Sequence, residues 1–122
     1  MENTRQEHAA NPAGMPVETP EDLERIIASI PAVLLYFSTP GCNVCQVLKP
    51  KVKQLLREKY PAIAFYYINC TALPEVAARF SVFAVPTLLV CFDGRETIRK
   101  SRYLGIDELD DALRRPFQLF FG

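Results

Sequence analysis

The sequence predicts an α/β fold, a central mixed sheet of four to five strands with helices on both faces. Three observations lead there. Apolar runs at 33–37, 62–68 and 87–92 are separated by segments whose apolar residues recur at helical spacing. The run at 62–68 alternates too little to leave one face in water, so it reads as a strand covered on both sides and parallel to its neighbour. Asp93-Gly94, directly after the third run, is a hairpin signal leading to an antiparallel partner.

A chain of 122 residues can bury one good core but not two, so a single domain is expected. Hydrophobic residues make up 49% and charged residues 23%, with 14 basic side chains against 14 acidic ones. That balance describes a folded, near-neutral globule. There is no basic block, no interleaving of basic and aromatic residues, and no apolar run near about 18 residues. Neither nucleic acid nor membrane is therefore an expected partner.

Taken in order, residues 1–16 are polar, small and proline-bearing, and read as a flexible N-terminal tail. His8 lies there; as the only histidine it cannot build a histidine-based metal cluster, and no metal site is expected. Met15-Pro16-Val17 reads as a stub of edge strand, kept short by its proline. The folded domain is placed at 17–115. It opens on a helix start, with Thr19 as cap, Pro20 at the first helical position, and Glu21 and Asp22 against the dipole. Leu23, Ile26, Ile27 and Ile30 give that helix one apolar face until Pro31 stops it.

A strand at 32–37 follows, then a helix at 42–60 whose stripe is Val44, Val47, Leu48, Val52, Leu55 and Leu56. Pro50 stands in its middle, where it removes a backbone bond and kinks the axis. After the strand at 62–68 comes a short helix at 73–80, the strand at 87–92, the hairpin and its return strand at 96–103. The last helix starts near Asp107, carries Ile106, Leu109, Ala112 and Leu113 on one face, and ends before Pro116. Residues 116–122 form an apolar C-terminal extension. Its Phe117-Gln118-Leu119-Phe120-Phe121 either packs back on the sheet edge or docks a partner, and packing is the favoured reading because a free aromatic tail aggregates.

The chemistry lies between the first strand and the second helix, where Thr39-Pro40-Gly41 leads into Cys42-Asn43-Val44-Cys45. Cys42 is expected at the first helical position, where unpaired N–H groups and the positive end of the dipole favour the thiolate, the attacking species. Cys45 falls one turn further on the same face, close enough to form a disulfide. A CxxC alone also reads as two buried cysteines or half a zinc site; its place at a strand-to-helix turn favours redox chemistry. Pro86 in Ala84-Val85-Pro86-Thr87 stands at the start of a strand after a loop, where proline is tolerated and a cis bond is open to it. A cis bond there would lay the free backbone of Val85 against the cysteines. Residues 1–8 lack the apolar core of a secretory signal, so a cytoplasmic setting with reduced thiols is expected.

With these residues placed, the chain resembles the thioredoxin family over residues 15–115. The likeness rests on the CxxC after a buried strand, Pro50 five residues beyond Cys45, Val85-Pro86-Thr87 ahead of a Leu-Leu-Val strand, and the Asp93-Gly94 hairpin. Glutaredoxins share the fold, but Thr87 after Pro86 and the lack of a glycine pair in the late hairpin favour thioredoxin-like proteins. The resemblance implies the thioredoxin fold, Cys42 as nucleophile, Cys45 as resolving cysteine, and Pro86 as a cis-proline beside a substrate groove that takes in Gly41, Val85 and Thr87. It also implies protein disulfides as substrates, an upstream reductase as electron donor, and no cofactor.

The chain departs from the family in several places. Thioredoxins carry tryptophan before the first cysteine and Gly-Pro between the two, whereas this chain has Gly41 and Asn43-Val44 and no tryptophan. The family's buried aspartate falls on Tyr36 and its buried lysine on Tyr67, and tyrosine near neutral pH is a poor base. In the thioredoxin-like sheet that the resemblance implies, Cys70 and Cys91 fall on strands flanking the first one, roughly 10 Å apart, too far to bond, and read as buried, inert thiols. The function expected is a thiol–disulfide oxidoreductase of the protein-disulfide reductase type. The alternative is a catalytically weak binding module on the same fold, docking a partner through its groove or aromatic tail.

Overall fold

The computed structural model of the chain describes residues 16–102 and 105–122. Most of the expected N-terminal tail, with His8 and Met15, lies outside the described residues, as does Tyr103 at the expected end of the last strand.

Helix α1 (Pro20–Ser29) opens on a reciprocal cap. The Thr19 hydroxyl accepts from the Asp22 N–H at 3.1 Å, and the Asp22 carboxylate accepts from the Thr19 N–H at 3.0 Å. Strand β1 (Ala32–Ser38) is buried along its whole length. It runs parallel to β2 (Ala64–Asn69), with Val33 opposite Ala64, and antiparallel to β3 (Thr87–Phe92), with Val33 opposite Cys91. Strand β4 (Arg95–Ser101) completes a four-stranded sheet of order β2-β1-β3-β4. The β3–β4 turn places Asp93 and Gly94 at φ 54 and 79, the left-handed pair that a two-residue hairpin needs. Pro16 and Val17 form no strand, which corrects that expectation; Pro16 has no N–H to give a ladder.

Three further helices, α2 (Asn43–Lys59), α3 (Pro74–Arg79) and α4 (Ile106–Phe121), cover the sheet. Alternation along β1 divides the core in two. Ala32, Leu34 and Tyr36 share one cluster with Leu48, Val52 and Leu55 of α2 and Leu109 and Leu113 of α4. Val33, Leu35 and Phe37 share the other with Leu23 and Ile26 of α1 and Val76 and Ala77 of α3. Full burial of a side chain such as Leu34 or Leu35 is worth about 1.5–3 kcal/mol, so β1 is the best-anchored element and a rigid base for the turn at its end.

Two expectations about helices are corrected. In α2 the inward positions are Cys45, Leu48, Val52, Leu55 and Leu56, while Val44 and Val47 are 50% and 60% exposed. Cys45 takes the core-facing place in the first turn, and Val44 and Val47, each one residue before a buried position, point to solvent. Pro50 does lie inside α2, where its missing N–H leaves the carbonyl of exposed Gln46 to water.

Helix α4, expected to end before Pro116, runs through it to Phe121. The turn beyond the proline is held by rings: Phe117 meets Tyr60 at 5.1 Å between centroids and Phe120 meets Phe92 at 5.7 Å. The Tyr60 hydroxyl and Lys59 Nζ both engage the Asp110 carboxylate, tying the end of α2 to α4. Leu119 remains 75% exposed, so the apolar end packs only in part.

Candidate active site

Strand β1 ends at Ser38, and Thr39-Pro40-Gly41 delivers Cys42 to the start of α2. Cys42 is the cap rather than the first helical residue, with φ −88 and ψ 105. That extended backbone lets its sulfur turn back over the helix end, where Sγ accepts from the Cys45 N–H at 3.1 Å. Cys42 and Cys45 are joined as a disulfide, their Cα atoms 5.2 Å apart. The two sulfurs differ in access. Cys42 is half-buried, whereas Cys45 is 1% exposed and belongs to the core. Only Cys42 can be reached by a large partner.

An open groove beside Cys42 is lined by Val44, Ala84, Val85, Pro86 and Arg102. The Val85–Pro86 peptide is cis. Among the described residues no hydrogen bond engages the Val85 N–H or C=O. Pro86 is held from the far side, its carbonyl accepting from the Arg102 N–H at 2.7 Å. Thr87 is 1% exposed and lies behind the loop; its hydroxyl donates to the Ala84 carbonyl at 2.6 Å and lies 3.0 Å from Ser101 Oγ. Gly41 sits in the exposed turn outside the groove lining, and a Cβ there would meet nothing within 4 Å.

Beneath the pair, Tyr36 is fully buried and its hydroxyl donates to the Cys45 carbonyl at 2.6 Å. Burial first, and the neighbouring Tyr67 second, push its pKa far above the ordinary tyrosine value, so it stays a proton donor. Lys49 Nζ lies 4.2 Å from the centre of the Tyr67 ring. Ser38 and Thr87 are the buried polar side chains of the described residues beside these tyrosines, so no carboxylate or ammonium lies in the core.

The other two thiols lie elsewhere. Cys91 in β3 is 3% exposed and stands opposite Val33; Cys70 follows β2 and its N–H donates to the Ser38 carbonyl at 2.8 Å, at the other end of β1. Both are free. Cys70 is only half-buried, a correction, because it sits past the last residue of its strand. Burial raises both thiols, that of Cys91 to about 11.

The family model for thioredoxin matches residues 15–115. The chain belongs to the thioredoxin family. It is 37% identical over 100 residues to thioredoxin-like protein YdfQ of Bacillus subtilis (strain 168), covering 82% of this chain and 88% of that protein. The solved thioredoxin of Fasciola hepatica superposes with a TM-score of 0.65 at 31% identity, over 84% of this chain and 94% of that one. Oxidized mitochondrial thioredoxin 3 of Saccharomyces cerevisiae, at 20% identity and a TM-score of 0.67 over 84% of this chain and 91% of that one, shares the fold.

As a thioredoxin-family protein with its cysteine pair at disulfide distance, the chain is a thiol–disulfide oxidoreductase in the general sense. Its site carries the Tyr36 hydroxyl where thioredoxins place a buried aspartate. Among the described residues no helix is long and apolar enough to cross a membrane. Val44, Ala84 and Arg102 are groove residues that the sequence pattern did not single out. Val44 was detectable as the residue between the cysteines, but Arg102, far along the chain, carried no signal.

Proposed function

We propose that the protein is a protein-disulfide reductase in which Cys42 attacks and Cys45 resolves. The observation that carries this reading is the unequal access of the two sulfurs at one helix end, Cys42 half-buried as the cap and Cys45 in the core. In the reduced protein, amides of the first turn of α2 and the helix dipole stabilise a Cys42 thiolate, with no acid in that turn to oppose them. The thiolate attacks one sulfur of a substrate disulfide, forming a Cys42–substrate bond, and the other substrate sulfur leaves as a thiolate. The substrate segment is held as an extra strand against the N–H and C=O of Val85, which no described residue engages, beside Pro86. Cys45 loses its proton to solvent, since protonated Tyr36 cannot take it, and attacks Cys42 Sγ to release the second substrate thiolate. Two electrons have then passed to the substrate, and the pair is left as the disulfide. An upstream reductase returns those electrons.

Residues 17–115 are taken as the catalytic unit and the cytoplasm as its setting; the two free thiols, Cys70 and Cys91, suit a reducing compartment. A second reading, a binding module on this fold, draws on the exposed Leu119, Phe120 and Phe121 and on the lack of a buried acid under Cys45.

Insulin reduction with dithiothreitol, together with covalent trapping, separates the two. Reductase action predicts turnover, and a Cys45→Ser protein purified from its own cells that carries partners released by dithiothreitol, with none on Cys42→Ser. Identical non-covalent partners on both variants, with no turnover, would establish the binding module instead.

A further inference from the structure

We propose that Arg102 is a specificity-determining residue of the groove, selecting peptide disulfides in which a carboxylate-bearing residue flanks the reacting cysteine. This rests on the reductase reading and names the substrate class for it.

Among the described residues, Arg102 is the single charged one lining the groove with Cys42. Segments 39–48 and 81–87, which supply the other lining residues, contain no charged side chain at all. The charge that this described lining presents to a bound segment is therefore the guanidinium's. Arg102 is also fixed in place. Its N–H donates to the Pro86 carbonyl at 2.7 Å, one residue from the Val85 backbone that receives the substrate strand. Its φ of 68 is left-handed, a conformation that a side-chain-bearing residue seldom adopts and that tends to be kept at functional positions.

The side chain is available. Arg25, Arg79, Arg99 and Arg114 each hold an acid, whereas Arg102 is exposed and has no ion-pair partner among the described residues. The next acids along the chain, Asp107 and Glu108, open α4, and Glu108 is taken by Lys100. An arginine fork matches a carboxylate in two parallel hydrogen bonds. Val44, 50% exposed, and Phe83, 88% exposed before Ala84, give the rest of the surround an apolar surface. The combination fits an extended peptide with one acidic and one apolar residue about its cysteine. Oxidised glutathione offers carboxylates too, but has no side chains for that apolar surface.

The test uses the full chain and three synthetic peptide disulfides that differ only in the flanking residue, Glu, Gln or Lys, with oxidised glutathione as a fourth substrate. The wild type should favour the Glu peptide over the Lys peptide by about fivefold to tenfold in kcat/KM, expressed in KM, as expected for an ion pair in a partly open cleft. The ratio should shrink with added salt. Arg102→Lys should keep the preference, Arg102→Glu should invert it, and Arg102→Gly, which tolerates the left-handed backbone, should abolish it.

A loss in Arg102→Gly that is equal for all three peptides, or an unchanged ratio in Arg102→Glu, overturns the assignment while leaving the reductase reading intact. Faster turnover of oxidised glutathione than of the Glu peptide, with the same dependence on Arg102, overturns the peptide as substrate. If the wild type reduces none of the four, the reductase reading has failed and this proposal falls with it.

Discussion

Two cysteines of this molecule, Cys42 and Cys91, are the same residue type in opposite surroundings, one in a disulfide and one a free thiol. Cys42 caps a helix at the end of β1, half-buried, with its sulfur at the Cys45 N–H. Cys91 lies inside β3, opposite Val33, and burial lifts its thiol to about 11. The helix end supplies amide donors and a dipole to an anion, and the sheet interior supplies neither. Reactivity here belongs to the address, and the residue type only makes it possible.

The largest effect that tests this contrast is on turnover. Cys42→Ser should lower protein-disulfide reduction on the order of a thousandfold, whereas Cys91→Ala should keep most of the activity, read in the insulin assay. Equal losses would show that the interior thiol takes part in exchange. A second measurement needs no substrate. In the reduced protein, brief iodoacetamide treatment near neutral pH should label Cys42 roughly a hundredfold faster than Cys91, with half-buried Cys70 between them. Mass spectrometry of the peptides gives the order, and early labelling of Cys91 would break the comparison.

The Cys91 environment also makes a statement about stability and pH. Its pKa is raised on folding, so the stabilisation is complete below the unfolded thiol value of about 8.5 and is lost as pH rises through the folded value of about 11. Urea midpoints followed across that window should fall with pH. Cys91→Val should remove roughly 1–3 kcal/mol of the fall. A residual slope should persist, because Tyr60, pushed up to about 12 by burial and Asp110, titrates above it. An identical slope in the variant would mean that the thiol is not shielded in the folded state.

The smallest effect concerns the floor of the Cys42 site. Tyr36→Phe deletes the hydroxyl that bonds the Cys45 carbonyl and should cost about 1–2 kcal/mol of stability. Because Tyr36 is held protonated, the pH profile of turnover should keep its shape in Tyr36→Phe. A profile shifted by a unit or more would identify the tyrosine as the base for Cys45, contrary to the proton transfer to solvent proposed for that step.

Much of this was legible in the chain itself, for a local reason. Strand runs, the Thr19 cap, the Asp93-Gly94 turn and the CxxC at the strand-to-helix turn are each written within a few consecutive residues. Backbone preference and side-chain periodicity act over that range, so β1, β3, the hairpin and the cysteine pair came out close to their observed places. Where reading failed, a contact from a distant segment had the deciding vote. The Pro116 breaker was overridden by Phe117 and Phe120 docking on Tyr60 and Phe92. Val44 and Val47 have the spacing of core residues, yet Cys45 occupies the inward position.

By itself, then, the sequence determined the fold class, the β3–β4 hairpin and the identity of the redox pair, because these follow from local turn chemistry, from side-chain periodicity and from two thiols spaced one helical turn apart. Only the tertiary structure decided which sulfur is reachable and what stands across from it. Burial is a property of everything packed around a residue, and Arg102 reaches Pro86 through the return of β4, from 16 positions along the chain. No window of consecutive residues contains both halves of that groove.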